Sequence, residues 1–208
     1  MDLTELSGIE DPDPIRVRLF AAARAEFLRH GYAAANVGRI ATDAGISKKT
    51  VYKYVASKEA LLFAVMEDSL LAPLERIGPL DIAVEPAERL AAYLTSFAAL
   101  AFSQEGVISY RLVLAEGVRF PELVSTYLAS INDHAIRPLA ETIALYQRDG
   151  RLRPVNPATA ASMLFAMVMA EPMRDAALGL RPAPDAGQTR QLVEAAIDFA
   201  MNGLKISP

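Results

Sequence analysis

The chain has 208 residues and no cysteine, it is 52% hydrophobic and 22% charged, and its formal net charge is −4. This composition excludes a disordered tail, a disulfide framework and a thiolate metal site, and it allows one large domain or a small domain and a medium one. The absence of cysteine fits a cytoplasmic location, and the acidic stretch up to Pro14 lacks the basic and apolar regions of a signal peptide. No apolar stretch approaches the roughly 20 residues that cross a bilayer, so no membrane partner is expected.

The predicted elements are helical throughout, because Ala, Leu, Glu and Arg dominate and β-branched alternation is missing. The first helix repeats its apolar face at Leu19, Ala23 and Phe27 and ends near Gly31. Gly45 breaks a short second helix, and a third runs to about Val55. Side chains that can cap a helix predict the starts of the first four helices, at Asp13, Asn36, Ser47 and Ser57.

Five more helices are predicted beyond the fourth, over about residues 86–103, 107–117, 121–149, 157–179 and 187–203. Pro138 is expected to kink the long third member of this set. Asp185 and Gln188 have the spacing of a capping box at the start of the last helix. The chain is therefore predicted to be all-α, with about nine helices and short connections.

The charges are unevenly distributed along the chain. Residues 13–60 contain nine basic and four acidic side chains, or +5, which leaves 12 basic and 21 acidic side chains, or −9, for the remainder. A basic segment on an acidic body is expected when only one end of a protein meets a polyanion. A chance fluctuation among solvated charges would give the same pattern, so charge alone does not decide the partner.

The segment from Val37 to Tyr54 has the pattern of a helix-turn-helix. Two short helices that cross closely need a small residue on the first helix, supplied by Ala41, and a residue that tolerates positive φ at the turn, supplied by Gly45. A small shared core is expected from apolar side chains at the matching phases, namely Ile40, Ala44, Ile46, Val51 and Tyr54.

A generic helical hairpin buried in a bundle is the alternative interpretation of this segment. The outward positions of the second helix oppose it, because Lys48, Lys49 and Lys53 make that surface basic. A buried hairpin has no use for three lysines, whereas a recognition helix presents such side chains to DNA.

Residues from about 16 to 62 resemble the DNA-binding domain of TetR-family regulators. The matching stretches are Leu19-Phe-Ala-Ala-Ala, Phe27, Gly31-Tyr, Ile40-Ala, Ala44-Gly-Ile-Ser, Thr50-Val-Tyr, Tyr54 and Ser57-Lys-Glu-Ala-Leu-Leu. Two positions depart from the family pattern: Lys49 stands where Gly is frequent and Val55 where an aromatic residue is common. Residues 111–123 and 150–154 more weakly resemble the C-terminal domain of the AefR-like subgroup.

The resemblance implies a transcriptional regulator, by default a repressor, with a helix-turn-helix head over residues 1–56 and a ligand-binding and dimerisation body over residues 57–208. Base-edge contacts are expected from Lys48, Lys49 and Thr50, a further DNA contact from Lys53, and a phosphate contact from Tyr52. Phosphate contacts are expected from Asn36, Arg39, Tyr54 and Lys58, although Tyr54 also suits a place in the core.

A homodimer is expected because one short recognition helix covers few base pairs, so specific operators carry two half-sites about 34–36 Å apart. The resemblance places the dimer contact on the last two long helices. The apolar stripe of the last helix is the candidate seam, although it could equally pack on its own body, and it consists of Leu192, Val193, Ala196, Ile197, Ala200 and Met201.

A small-molecule effector of unknown identity is expected to bind between the body helices. Candidate pocket residues, most of which also suit an ordinary core, are Tyr93, Phe97, Phe102, Arg111, Glu116, Phe165 and Met169. An effector that prefers one spacing of the two heads would shift the dimer away from its DNA-binding form.

An enzyme is the first rival interpretation. His30 lies at a helix end and His134 alone within a helix, and the sequence has no phosphate-binding glycine loop, nucleophile elbow or HExxH pattern. Neither catalytic residues, nor a cofactor, nor a metal is therefore expected. The second rival, a helical adaptor with a vestigial head, would have lost the basic surface that is present here.

Overall fold

The structure, a computed structural model, describes residues 13–74 and 84–204. All regular secondary structure in these two ranges is helical, which confirms the all-α prediction. The acidic stretch before residue 13, interpreted above as lacking a signal peptide, lies outside the described residues. Within the two ranges, no helix combines the length and the apolar character that crossing a bilayer requires.

The chain divides into two compact units, Met1–Asp68 and Ser69–Pro208. The division falls inside a helix, later than the predicted domain boundary after residue 56, which stays a prediction. The first unit contains three helices and the start of a fourth: α1 (Pro14–Ala34), α2 (Val37–Asp43), α3 (Lys48–Tyr54) and α4 (Lys58–Leu74).

The helix starts in the first unit follow the predicted caps. Asp13, Asn36, Ser47 and Ser57 each accept a backbone N–H from the first turn that follows, at 2.7–3.0 Å. Gly31 leaves helical geometry at φ 68°, ψ 167°, and one further turn follows it within α1. The predicted apolar face of α1 is buried at Leu19, Ala23 and Phe27.

The second unit contains the remaining helices: α5 (Pro86–Ala101), α6 (Gln104–Glu116), α7 (Pro121–Ile131), α8 (Arg137–Arg148), α9 (Pro157–Leu178) and α10 (Ala186–Leu204). A five-residue π-helical turn, Asn132–Ile136, joins α7 to α8 without a break. If these three pieces are counted as one long helix, the described chain has the nine helices that the sequence predicts. The irregularity lies just before Pro138, where the kink is expected.

The predicted capping box at the start of α10 forms in both directions. The backbone N–H of Asp185 donates to the Gln188 side chain at 3.0 Å, and the N–H of Gln188 donates to the Asp185 carboxylate at 2.8 Å. The core of this unit is built from α5, α8, α9 and α10, with Leu90, Ile143 and Val168 fully buried at its centre. Helix α10 packs chiefly on α5 and α9.

Gly45 holds the turn between α2 and α3 at φ 67°, in the left-handed region. A Cβ added there would meet no atom within 4 Å, so Gly45→Ala carries a backbone cost alone. We expect this variant to lose about 1–2 kcal/mol of unfolding free energy. Urea unfolding followed by circular dichroism measures the loss. Gly203→Ala in α10, where a Cβ also meets open space, is the control and should not destabilise the chain. Equal stability of the two variants would contradict the prediction.

Candidate nucleic-acid interface

The helix-turn-helix forms from α2, the Gly45 turn and α3. Its shared core is nearly inaccessible to solvent, with Ile40 and Val51 at 0%, Ala44 at 2% and Ala41 at 4% exposure. The N–H of Ile46 donates to the Ala41 carbonyl at 2.9 Å, which closes the turn. The small residue and the glycine therefore occupy the positions that the spacing predicts.

Four predicted DNA-contacting side chains on α3 are exposed: Lys48, Lys49, Tyr52 and Lys53. Within residues 13–74 and 84–204, none of these side chains makes a hydrogen bond or an ion pair. Tyr52 is 45% exposed although it is a large aromatic residue. The surface is therefore basic and carries an aromatic hydroxyl, and no described residue neutralises its charges.

Thr50 lies at the same end of α3 but is half-buried. Its hydroxyl lies 2.8 Å from the Ser47 hydroxyl, and its backbone N–H donates to that same oxygen at 3.0 Å. The Ser47 cap thus holds the threonine side chain in a fixed position at the N-terminal end of α3.

Tyr54 is tied to the start of α1. It is 36% exposed, and its hydroxyl donates to the carboxylate of Asp13, which also caps α1. The Tyr54 hydroxyl and the Ile15 N–H hold the pKa of Asp13 below its ordinary value, and the same hydrogen bond raises the pKa of Tyr54. Tyr54 is therefore neither a core residue nor a free surface side chain.

Arg39 is held by Glu26, which sequence reasoning missed. The Glu26 carboxylate is 2% exposed and accepts from the Arg39 guanidinium and from the Asn36 N–H, the latter at 2.8 Å. The Arg39 hydrogen bond holds the pKa of Glu26 below its ordinary value. His30 lies 3.7 Å from the other carboxylate oxygen. A glutamate between Ala23 and Phe27 on the apolar face of α1 was the available signal, because a charge there must find a partner.

Lys58 is also turned toward the protein. Its ammonium group donates to the carbonyls of Tyr32, Ala33 and Ala35 at 2.7, 3.2 and 3.1 Å, and it lies 4.5 Å from the centre of the Tyr32 ring. These bonds use all three of its donors. A phosphate contact from Lys58 would therefore compete with the capping of the last turn of α1.

The first unit thus uses much of its positive charge internally. Arg39 and Lys58 have the partners just described, and Arg16 and Arg24 lie 3.6 and 3.9 Å from the two oxygens of Asp68. Four of the nine basic side chains counted over residues 13–60 are accounted for in this way. The three lysines of α3 make up most of the remainder.

The predicted effector residues fall into two groups. Tyr93, Phe97, Phe102 and Met169 are 3–7% exposed and belong to the core of the second unit, with Phe165 half-buried against it. The Tyr93 hydroxyl donates to the His134 carbonyl at 2.6 Å, and the rings of Phe97 and Phe165 meet edge to face at 5.1 Å. Glu116 is half-buried at the end of α6 and has a partner within the chain. Their role in binding a ligand stays a prediction.

Arg111 caps the end of α9. Its guanidinium donates from Nε to the Ala177 carbonyl at 2.8 Å and from Nη2 to the Ala176 carbonyl at 2.6 Å. We expect Arg111→Ala to lower the stability of the chain by about 1 kcal/mol, because those two carbonyls lose their charged donor. Urea unfolding measures the loss, with Arg148→Ala on α8 as an exposed control. An unchanged midpoint for Arg111→Ala would show that the cap is dispensable.

The apolar stripe of α10 packs mostly within its own unit, and its role in a dimer seam stays a prediction. Val193, Ala196, Ile197 and Met201 are 1–6% exposed and lie in the core of their own unit, packed on α5 and α9. Leu192 and Ala200 are half-buried beside them. A seam needs side chains that are free in one protomer, and the last two helices do present exposed apolar residues elsewhere, at Met163, Met167 and Phe199.

Comparison with known proteins identifies both units. A family model described as bacterial regulatory proteins of the tetR family matches residues 19–65, and one described as the C-terminal domain of AefR-like transcriptional repressors matches residues 88–203. The HTH-type transcriptional repressor SCO4008 of Streptomyces coelicolor is 32% identical over 162 residues, which cover 76% of this chain and 77% of that protein.

Solved structures give the same assignment. A TetR family transcriptional regulator from Pseudomonas syringae pv. tomato has a TM-score of 0.76 at 25% identity, and the match covers 95% of this chain and 100% of that one. The Flavonoid-responsive Regulator FrrA has a TM-score of 0.70 at 27% identity, with 93% and 98% of the two chains covered. TetR regulators bind DNA and dimerise, and they are not enzymes, as the sequence predicts for this chain. The helix-turn-helix with its basic α3 and the AefR-like helical body therefore show that the chain belongs to the TetR family of transcriptional regulators.

Proposed function

We propose that the protein is a ligand-responsive repressor that binds a palindromic operator as a homodimer and leaves it when a small-molecule effector binds. Residues 1–56 act as the DNA-binding domain and residues 57–208 as the domain for ligand binding and dimerisation, and the protein works in the cytoplasm, where the operator is. The observation that carries the proposal is the set of four exposed side chains on α3 that have no partner among the described residues, Lys48, Lys49, Tyr52 and Lys53. A recognition helix needs such side chains free to meet base edges and phosphates.

The proposed DNA contacts fall into two groups, according to whether the side chain already has a hydrogen-bond partner within the protein. Lys48 and Lys49 lie in the first turn of α3, where a major-groove helix meets base edges, and either lysine can donate to guanine O6 and N7. Thr50 reaches the same groove from a position fixed by the Ser47 hydroxyl. Tyr52 and Lys53 are free to meet phosphates.

Four predicted phosphate contacts start from residues already engaged in the protein. The backbone N–H of Asn36 and the guanidinium of Arg39 share the Glu26 carboxylate, and the side chains of Tyr54 and Lys58 bind Asp13 and the end of α1. Arg39 keeps half of its side chain exposed, so a phosphate can bind its outer edge without breaking the pair. In this proposal Lys58 and Tyr54 chiefly stabilise the structure of the DNA-binding domain through these contacts.

We place the dimer contact on the exposed apolar side chains of α9 and α10 instead of the buried α10 stripe. Met163 on α9 is 61% exposed and Phe199 on α10 is 70% exposed, and these are large apolar groups that water contacts only at a cost. Exposed apolar surface of this kind is typical of contacts between subunits. A two-fold dimer then carries two recognition helices, one for each half of a palindrome.

Phe199→Asp should convert the dimer to a monomer, because an unpaired carboxylate would be buried in an apolar contact. Analytical ultracentrifugation at micromolar concentration measures the change in mass. The matched control is Leu128→Asp on α7, a residue that is 58% exposed and lies outside the last two helices. Dissociation by the control, or a dimer that survives Phe199→Asp, would remove this face from consideration.

The descriptions of two relatives support the proposed repressor function and the proposed small-molecule effector. SCO4008 is described as a transcriptional repressor, and FrrA as a flavonoid-responsive regulator. The dimer can adopt one conformation whose two DNA-binding domains have the spacing of the operator half-sites and another whose spacing does not fit them. An effector that binds more tightly to the second conformation lowers the population of the first, and its difference in affinity for the two sets the size of the shift. We infer that the second unit of this chain binds such a molecule.

A mobility-shift titration of the full chain against genomic fragments tests the regulatory function. The log of the affinity should fall linearly with the log of the salt concentration, with a slope that counts the neutralised phosphates. One fragment should bind on the order of a thousandfold more tightly than bulk DNA. An absence of binding at low salt, or equal affinity for all fragments, would refute the proposed function.

A further inference from the structure

Ser130 of α7 is a buried polar residue. It is 7% exposed, and its hydroxyl oxygen makes no hydrogen bond with any described residue. A serine or threonine within a helix usually donates to the carbonyl one turn earlier. Thr95, Ser96, Ser125 and Thr142 all do so in this protein, at 2.8–3.1 Å. Ser130 does not, so no hydrogen bond with a described residue offsets the burial of its hydroxyl.

Tyr127 lies one turn before Ser130 on the same helix and is half-buried. Its ring meets that of Tyr110 on α6 with 5.9 Å between centres and 39° between planes. Neither phenol hydroxyl makes a hydrogen bond in the described part of the chain. Three hydroxyl groups from α6 and α7 therefore have unused hydrogen-bonding capacity.

No charged side chain among the described residues makes a hydrogen bond with these hydroxyls. Burial, and then the charge of the neighbouring Tyr110 phenol, raise the pKa of Tyr127 above its ordinary range, and neither cause is a cation. The guanidinium of Arg111, next to Tyr110 in sequence, is used by the carbonyls of Ala176 and Ala177. A carboxylate ligand would therefore find no cation here, whereas a neutral polar group would find donors.

A segment of irregular backbone follows Ser130 closely in the sequence. The π-helical turn Asn132–Ile136 begins two residues after Ser130, and its His134 carbonyl is held by the Tyr93 hydroxyl at 2.6 Å. π-helical turns within α-helices occur frequently at functional sites. Ile131, between Ser130 and this turn, packs against the core of the unit together with Tyr110.

We propose that Ser130, Tyr127 and Tyr110 form the polar end of the effector site and that the effector is a neutral aromatic molecule with a carbonyl or hydroxyl group. The phenol rings provide the aromatic contact. The Ser130 hydroxyl, and with it Tyr127, hydrogen-bonds to the ligand oxygen. The inference rests on the proposed ligand-responsive function and specifies the chemistry of its ligand.

A matched series of naphthalenes tests the site by ligand-detected NMR on the full chain. 2-Acetylnaphthalene and 2-naphthol are neutral and carry one polar oxygen, 2-ethylnaphthalene lacks the oxygen, and 2-naphthoate adds a negative charge. The two oxygenated neutral probes should bind, and the other two should bind more weakly. Binding of neither neutral oxygenated probe, or tighter binding of the naphthoate, would overturn the proposal.

Variants assign the binding to these residues. Ser130→Ala and Tyr127→Phe should each weaken binding of 2-acetylnaphthalene about fivefold, the equivalent of one ordinary hydrogen bond. Ser125→Ala, an exposed serine on the same helix, should leave it unchanged. Equal binding by Ser130→Ala and the wild type would overturn the assignment.

Two further measurements separate this proposal from its premise. Ser130→Ala should unfold at the wild-type temperature or above, since its hydroxyl loses no partner, so a loss of binding is not a loss of fold. Without a probe, all variants should bind the operator fragment as the wild type does. Failure of the wild type to bind DNA would refute the proposed regulator, whereas failure of the probes with intact DNA binding would refute the site alone.

Discussion

Lys48→Ala combined with Lys49→Ala should weaken operator binding on the order of a thousandfold while leaving the fold intact. Each lysine is exposed at the N-terminal end of α3, and neither has an intramolecular partner in the part of the chain that the structure describes. Loss of one base-edge contact costs about 1–3 kcal/mol, and the loss is repeated in both protomers of a dimer. Mobility-shift titration at fixed salt gives the ratio of affinities, and circular dichroism confirms the helix content.

The control for this double variant removes the same charge from elsewhere. Arg148→Ala with Arg190→Ala also removes two positive charges, from exposed positions on α8 and α10. If the lysines acted only through net charge, both double variants would weaken binding equally, and the recognition role of α3 would be refuted. We expect the arginine pair to change the affinity less than twofold at about 0.15 M salt, because neither arginine belongs to the helix-turn-helix and salt screens charges that do not contact DNA.

Glu26→Ala should destabilise the first unit by on the order of 2 kcal/mol, the largest stability effect that we expect from a single substitution. The carboxylate is nearly inaccessible, and its removal leaves the Asn36 N–H without its acceptor and the Arg39 guanidinium with only the Ala34 carbonyl, at 2.9 Å. Urea unfolding followed by circular dichroism measures the loss, with Glu141→Ala at an exposed position on α8 as the control. A midpoint shift no larger than that of the control would contradict the prediction.

The same carboxylate predicts how stability depends on pH. Hydrogen bonds from Arg39 and Asn36 hold the pKa of Glu26 below its ordinary value of 4.5, so the folded state favours the ionised form. Its contribution is present above about pH 4.5 and is lost as the pH falls through the lower pKa of the folded state. Glu26→Gln should show a flatter decline of the urea midpoint between pH 5 and pH 3 than the wild type. Parallel declines would contradict this role.

Helix starts and the helix-turn-helix were predictable because they depend on residues close in sequence. Asn36, Ser47 and Ser57 cap helices through backbone groups two or three residues away, and the Gly45 turn needs only a residue that tolerates positive φ. The basic surface of α3 was predictable for the same reason. A short helix that buries a valine on one side exposes its opposite side to solvent, and the three lysines lie there.

Contacts between residues distant in sequence were not predictable. Tyr54 is 41 residues from Asp13 and Lys58 is 26 residues from Tyr32, so nothing local indicates that these polar groups meet. The α10 stripe shows a second limit. Its period predicts that Val193 and Ile197 are buried, but a helical period does not say whether the covering surface belongs to the same chain or to a partner.

Helices α2 and α3 have seven residues each, which is about half the length at which an isolated helix becomes marginally stable in water. Neither can exist without the caps at Asn36 and Ser47 and the packing of Ile40 and Val51. The first unit should therefore melt as a single cooperative block and not lose α3 by fraying. A substitution in the core of α1, far from any base pair, would then lower operator occupancy by depleting the whole folded head, with the sequence preference of the surviving molecules unchanged.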